Sequence, residues 1–417
     1  MNQPTYQETC QGSIQLPIDR LVSDMQGKTP GNADFLIPAY EPAAGEQPEF
    51  TDILDTQLDA LATFQPEAYE HASRLQEQLD EPTQNVDSLR CIVAIPVASH
   101  QEHESIFGTL EHYASQTLST NAFEIVLHLN YTDNGEDGNE KAAKHAQTYA
   151  EVERFRQQHP DIAVRTISSV YRGNTSIGLI RADMWNTIAL DMQRRGRTER
   201  IPIISNDCDT TAMHRAYLQR LSDEFEATGS SLITTRLKWQ LVPELGLTAM
   251  ANRVLRYQMF IDNIRDLYSG KLRPPDQSTA ISLDDYLTSG GFNPAVRLGE
   301  MKDAVARIRD YRERVGGSAP VESRCYDVYV TSDSRRLVQT MAMGRMPYAA
   351  WRPDVLPFEI DDPVRGATVA AVRAEAEAQL HGHEWAEEIS ATYLGCVEDE
   401  AKRTRLQQAA YHILQLS

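Results

Sequence analysis

Directly after the apolar run Ile201-Pro-Ile-Ile204 stands Ser205-Asn-Asp207-Cys-Asp209, two carboxylates one residue apart. Carboxylates at the mouth of a strand suit a hard divalent cation, which prefers oxygen ligands and can in turn hold a diphosphate. The same spacing also fits Asp209 as the cap of a helix beginning at Thr210. A second acidic set, Glu300 and Asp303, lies three residues apart on a segment of helical spacing. The two carboxylates therefore share a helix face, and either suits a general base, although Asp303 equally fits a first-turn acid facing the helix dipole. Thr331-Ser-Asp333-Ser-Arg335-Arg336 follows a strand-like run and begins a helix. Adjacent Arg side chains at a helix start are unfavourable unless an anion or carboxylate is near, so Arg335 and Arg336 fit either a phosphate contact or a structural salt bridge.

The elements that must carry these residues follow from periodicity. Cys91-Ile-Val-Ala-Ile-Pro-Val97 and Phe123-Glu-Ile-Val-Leu-His-Leu129 are short apolar runs of the kind that form buried parallel strands. Ile162 to Val170, Ile201 to Ile204 and Ser231 to Thr235 continue the series. Between them, helical spacing predicts helices from Ile106, over about 139–158, from Ser176 to about Arg194 and from Thr211 to Ala227. Strands alternating with helices imply a parallel sheet covered on both faces, with ligands at the carboxyl ends of the strands. Beyond it, helices are expected over Leu245 to Tyr268 and Leu298 to about Arg314, a turn at Ser289-Gly-Gly-Phe292, a strand at Tyr326 to Val330 and a helical tail over 364–417.

The chain has 417 residues and a formal net charge of −20. That charge opposes attraction to nucleic acid or an anionic membrane. No stretch approaches the roughly 18 consecutive apolar residues of a membrane helix, and the N-terminus reads as no signal peptide, so the expectation is a cytoplasmic protein without a transmembrane segment. Residues 1–90 hold sixteen acidic and four basic residues and eight of the 20 prolines. The first fifty read as an irregular arm, whereas Ile53, Leu54, Leu58, Leu61 and Phe64 recur at helical spacing. Five scattered cysteines without a C-x-x-C pair give neither a disulfide framework nor a zinc site. The glycine signatures of dinucleotide and P-loop sites and the H-E-x-x-H of zinc proteases are missing.

The order of these motifs resembles family 2 glycosyltransferases of the GT-A fold, over about residues 89–310 and more loosely to 358. Ile92-Val-Ala-Ile-Pro96-Val with Gln116-Thr117 looks like the opening strand and helix. Phe123 to Asp133 looks like the second strand and its acidic loop, Ile177-Gly-Leu-Ile-Arg181-Ala-Asp183 like the helix whose Arg approaches the donor, Asp207-Cys-Asp209 like the D-x-D, and Gly290-Gly291-Phe292 with Gly299-Glu300 like the acceptor-side motif. The resemblance implies an α/β, Rossmann-like, mostly parallel sheet with helices on both faces and helical N- and C-terminal extensions. The expected divisions are an acidic arm (1–88), a GT-A domain (89–360) and a helical tail (361–417). It further implies sugar transfer from a nucleotide diphosphate sugar to an unidentified acceptor with Mn²⁺ or Mg²⁺. Asp209 is then the principal metal ligand and Asp207 faces the ribose or the second coordination shell, while Pro96, Asp133 and Arg181 line the donor. The chain departs from the family where Glu-Asp usually stand together, since Met301 follows Glu300. Two other classes therefore stay open, a nucleotidyltransferase and a catalytically silent GT-A-like binding module.

Overall fold

A computed structural model of the chain describes residues 37–40, 48–80, 85–133, 135, 138–173, 175–240, 275, 277–296, 299–315 and 321–333. The helices expected over Leu245 to Tyr268 and 364–417, most of the N-terminal arm, and Arg335 and Arg336 lie outside the described residues. The chain divides into two compact units, one of residues 32–238 and 274–332, the other of residues 1–31, 239–273 and 333–417. The site lies in the first.

The eight described strands are β1 (Cys91–Ala98), β2 (Phe123–Asp133), β3 (Val164–Arg172), β4 (Pro202–Ser205), β5 (Thr210–Met213), β6 (Leu232–Gln240), β7 (Thr279–Ser282) and β8 (Glu322–Asp333). They form one sheet in the order β3-β2-β1-β4-β7-β6-β8-β5. The expected parallel pairing holds for β3-β2-β1-β4, with Ile92 opposite both Glu124 and Ile203. From β7 onward the sheet adds antiparallel pairings, β4 with β7, β6 with β7 and β5 with β8. β1 is wholly apolar from Cys91 to Val97 because it lies mid-sheet with both faces covered.

Eight helices of at least six residues accompany the described strands, α1 (Phe50–Phe64), α2 (Pro66–Gln76), α3 (Ile106–Ala114), α4 (Gly138–Gln158), α5 (Ile177–Arg194), α6 (Tyr217–Thr228), α7 (Leu283–Thr288) and α8 (Glu300–Val315). α1 buries Phe50, Ile53, Leu54, Gln57, Leu58 and Leu61, one stripe at helical spacing, and Pro66 opens α2 at its first turn, where no donor is lost. α1 and α2 pack on α5, so the segment around residues 52–80 is the packing element its periodicity predicts. Covered by the sheet on one side and by these helices on the other, α5 is buried nearly all round. None of the described helices is long and apolar enough to cross a membrane.

The helix expected from Thr211 starts later, at Tyr217, because residues 210–213 pair with β8 as β5. Asp209 therefore leads into a strand, and the helix-capping alternative for it falls away. β7 and α7 carry no strong periodicity of their own and exist through pairing with β4 and packing on α1.

The buried core holds a charged network as well as apolar side chains. Arg165 of β3 donates to both Asp191 oxygens, and Arg195 donates to Glu124 at 2.8 and 2.9 Å, all four residues being nearly inaccessible. Such a network stays stable only while every charge keeps its partner.

Candidate active site

The carboxyl ends of β1, β2 and β4 lie on one edge of the parallel half-sheet. β4 ends at Ser205, and the chain crosses to β5 through Asn206-Asp207-Cys208-Asp209. Asn206 fixes that crossing from beneath. Its amide donates to the Tyr113 hydroxyl at 2.6 Å, its carbonyl oxygen accepts from Tyr217 at 3.2 Å and from the Ser278 backbone at 3.0 Å, and its own N–H reaches Ala94 O at 3.2 Å. Ser278 meets it at φ 65, a left-handed conformation imposed by this convergence.

Above this support the two predicted aspartates have different partners. Asp207 Oδ1 accepts from Arg181 Nη2 at 2.8 Å, and its side chain keeps 21% of its exposure. Asp209 is more buried, and its Oδ1 accepts from the Ser332 hydroxyl at 2.8 Å. Cys208 between them points into the core, and burial, reinforced by the nearby carboxylates, pushes its thiol well above the ordinary range. Since the thiolate is the metal-binding form, Cys208 packs and leaves only oxygens facing the site.

Arg181 is the centre of the arrangement. It projects from the first turns of α5, 1% exposed, and donates through Nε to Glu300 Oε1 at 2.7 Å, through Nη1 to Ser205 Oγ at 2.5 Å and through Nη2 to Asp207. Glu300 is equally buried, and its second oxygen, Oε2, has no hydrogen-bond partner among the described residues. An unmatched buried carboxylate oxygen is costly unless something polar completes it, so this atom marks a place for a hydroxyl or water.

What brings Glu300 to Arg181 is the loop that starts at Ser289, described as far as Val296. Gly290 and Gly291 adopt φ 88 and 74, and their N–H groups close the end of α7 on Leu287 O and Tyr286 O at 3.0 Å each. Phe292 then inserts edge-on against Trp185 of α5, ring centroids 5.0 Å apart. Ser176 caps α5 on the Leu179 N–H and donates to Pro294 O, while the Gly178 N–H donates to Val296 O at 3.1 Å. The loop is clamped to the start of α5, and α8 begins with Glu300 over Arg181. Met301, which follows Glu300 directly, is fully buried in the core. Asp303 turns along α8 to Arg307 at 3.0 Å, and that arginine also donates to Ser289 O at 2.9 Å.

The remaining predicted donor residues sit apart from this group. Asp133 ends β2 and accepts the Gly135 N–H at 2.9 Å, an Asx-type turn leading into α4. Pro96 is a buried residue of β1 opposite His128, two positions before the strand ends. Sequence reasoning missed Asn206, Ser205 and Ser332. The first two directly follow an apolar strand, which is a usable signal, whereas Ser332 comes from 123 residues away along the chain and carries none. A Ser-His contact also occurs, Ser99 Oγ to His145 Nδ1 at 2.8 Å, but the Ser99 hydroxyl donates to Asn130 O and so accepts from the imidazole, the wrong polarity for a nucleophile.

Among the described residues no three His, Cys, Asp or Glu side chains form a ready-made metal cage. Two carboxylates with an exposed approach at Asp207 still fit a hard cation of the Mg²⁺ or Mn²⁺ kind, which keeps waters and takes phosphate oxygens for its other positions.

The sheet order, parallel over β3-β2-β1-β4 and antiparallel beyond, with the acidic crossing at the carboxyl edge of β4, makes this a GT-A type α/β fold. Among solved structures the chain is similar to S. aureus TarS residues 1–349, at 13% identity over 78% of this chain and 90% of that one, with a TM-score of 0.38. It is also similar to the mannosyltransferase PcManGT of Pyrobaculum calidifontis in complex with GDP-Man and Mn²⁺, at 16% identity over 87% and 97% and a TM-score of 0.41. A third is glucosyl-3-phosphoglycerate synthase of Mycobacterium tuberculosis with Mg²⁺ and UDP, at 14% identity over 65% and 79% and a TM-score of 0.33. No protein-family model matches the chain, and no curated protein matches it.

Proposed function

We propose that this chain is a divalent-cation-dependent glycosyltransferase that moves a sugar from a nucleotide diphosphate sugar to an acceptor hydroxyl. The observation that carries the reading is the buried Glu300 carboxylate, which offers one unpartnered oxygen and is joined through a single guanidinium to Asp207 of the strand-end carboxylate pair. A proton acceptor and a cation-binding group are thus bridged by one side chain, which supports placing a base and a departing diphosphate in the same site. Asp207 and Asp209 would hold the cation, which when bound supplies electrostatic support for the leaving diphosphate. Glu300 Oε2 takes the acceptor's proton as the acceptor oxygen bonds to the anomeric carbon and that carbon's bond to the diphosphate breaks, while Oε1 stays fixed by Arg181. On this reading Asp133, at the end of β2, would face the nucleotide, Pro96 would support it from inside β1, and Gly290, Gly291 and the loop they begin would frame the acceptor side.

Glu300 alone suffices as the base, so Met301 in place of an acid does not argue for a silent binding module. Asp303 serves Arg307 and the turn that carries Glu300. The test is a nucleotide-sugar screen with Mn²⁺, reading release of nucleoside diphosphate. Glu300→Gln should lose about 10²–10⁴ in turnover, and Asp303→Asn should lose less. Asp209→Ala should abolish the rise in melting temperature produced by Mn²⁺ with the matching nucleoside diphosphate. Wild-type turnover in Glu300→Gln would remove the base from this position.

A further inference from the structure

Arg181 and an incoming cation need the same carboxylate. Arg181 Nη2 lies 2.8 Å from Asp207 Oδ1, the distance of a charge-assisted hydrogen bond, while Nε holds Glu300 Oε1 at 2.7 Å. The three members differ in access. Arg181 is 1% and Glu300 2% exposed at the side chain, against 21% for Asp207, so a cation can reach this triad only at Asp207. Arg181 itself cannot leave, because its third arm is anchored on Ser205 at the end of β4 and its stem is enclosed in α5.

We propose that Arg181 is a positioning residue shared in competition between Asp207 and Glu300. Without a cation its charge is divided between the two carboxylates. When a divalent cation binds Asp207, it weakens that carboxylate's hold on the guanidinium, whose hydrogen bonding shifts toward Glu300 and strengthens the existing contact at Oε1. Loading the donor side thereby tightens the hold on the base side, where Arg181 already keeps Glu300 Oε1 at 2.7 Å. The inference rests on the cation-dependent reading above but concerns a different quantity, the coupling between two carboxylates that share no ligand. Because such coupling is reciprocal, a change at Glu300 must alter cation affinity at Asp207 although Glu300 does not touch the cation.

The experiment titrates Mn²⁺ alone into wild type, Arg181→Gln and Glu300→Gln, reading free ion by electron paramagnetic resonance, with circular dichroism to check folding. Arg181→Gln removes the competing charge and should bind Mn²⁺ roughly tenfold more tightly, a small part of what a neighbouring unit charge can exert at a half-buried site. Glu300→Gln weakens the guanidinium's other partner, returns it to Asp207 and should bind Mn²⁺ roughly threefold to tenfold more weakly. The opposite signs separate coupling from general damage, which would weaken both. If Arg181→Gln fails to fold, Arg181→Lys takes its place, since a lysine keeps the charge but cannot reach Asp207 and Glu300 together, and it should likewise bind Mn²⁺ more tightly. Unchanged or tighter binding in Glu300→Gln would overturn the inference while leaving cation dependence intact. Absence of Mn²⁺ binding by wild type would overturn the cation-dependent reading itself.

Discussion

Replacing Gly178 by alanine should destabilise the protein and disturb the site together. A Cβ at this position would stand 2.7 Å from Val296 O and closer still to Asn293 O, both backbone atoms of the loop that carries Glu300. Ordinary contact begins near 3.4 Å, so the start of α5 and the loop must separate by about 0.7 Å or more. That strain stretches the hydrogen bond from Gly178 N to Val296 O and moves α8 relative to Arg181. Overpacking of this kind costs about 1–3 kcal/mol, and for a chain of this size each kcal/mol lowers the melting temperature by roughly 2–4 °C. Gly108 is the internal control, since it is exposed within α3 and a Cβ there meets nothing within 4 Å. Gly108→Ala should stabilise by about 0.5–1 kcal/mol, because alanine loses less backbone entropy in a helix. Differential scanning calorimetry of both variants gives the signs. A Gly178→Ala protein as stable as wild type would refute the close approach and, with it, the clamp that places Glu300.

Two further perturbations test the core that holds the site. Arg165→Met leaves Glu124 to Arg195, and Asp191 to Arg195 and the more exposed Arg194, and should cost about 3 kcal/mol in urea denaturation, near the lower end for breaking a buried ion network. A loss below 1 kcal/mol would mean the network reorganises. Burial lowers the His128 imidazole to about 4, against the opposing influence of Asp183 and of the Ile180 carbonyl. The unfolded chain therefore takes up this proton first as pH falls. The stability from neutral His128 is complete above about pH 6.5 and falls by up to about 3 kcal/mol toward pH 4. Urea midpoints of wild type and His128→Gln should converge over that window, and parallel curves would show that His128 does not titrate below its usual range.

Much of this molecule follows from local sequence. The uninterrupted apolar runs at 91–97 and 123–129 demand strands covered on both faces, and Ile53, Leu54, Leu58 and Leu61 can bury one stripe only as a helix. The acidic crossing after Ile204 is legible for the same reason, since a polar, short-side-chain segment directly after a buried strand must lie at the sheet edge. The two glycines before Phe292 announce a left-handed turn, which the structure has. The tertiary structure alone decides what each charge is for. Asp207, Glu300 and Arg181 are separated by up to 119 residues, and no spacing rule states that one guanidinium joins them. Asp209 is a strand-entry residue because β8 arrives to pair with residues 210–213, a partner 120 residues away that helical propensity cannot anticipate. Glu300 and Asp303 are equivalent on a helical wheel. They become different because the fold buries the first beside Arg181 and leaves the second to Arg307. Burial and pairing are set by which elements meet, and those meetings are fixed by long-range packing of α5, β4 and α8 rather than by any residue's neighbours in the chain.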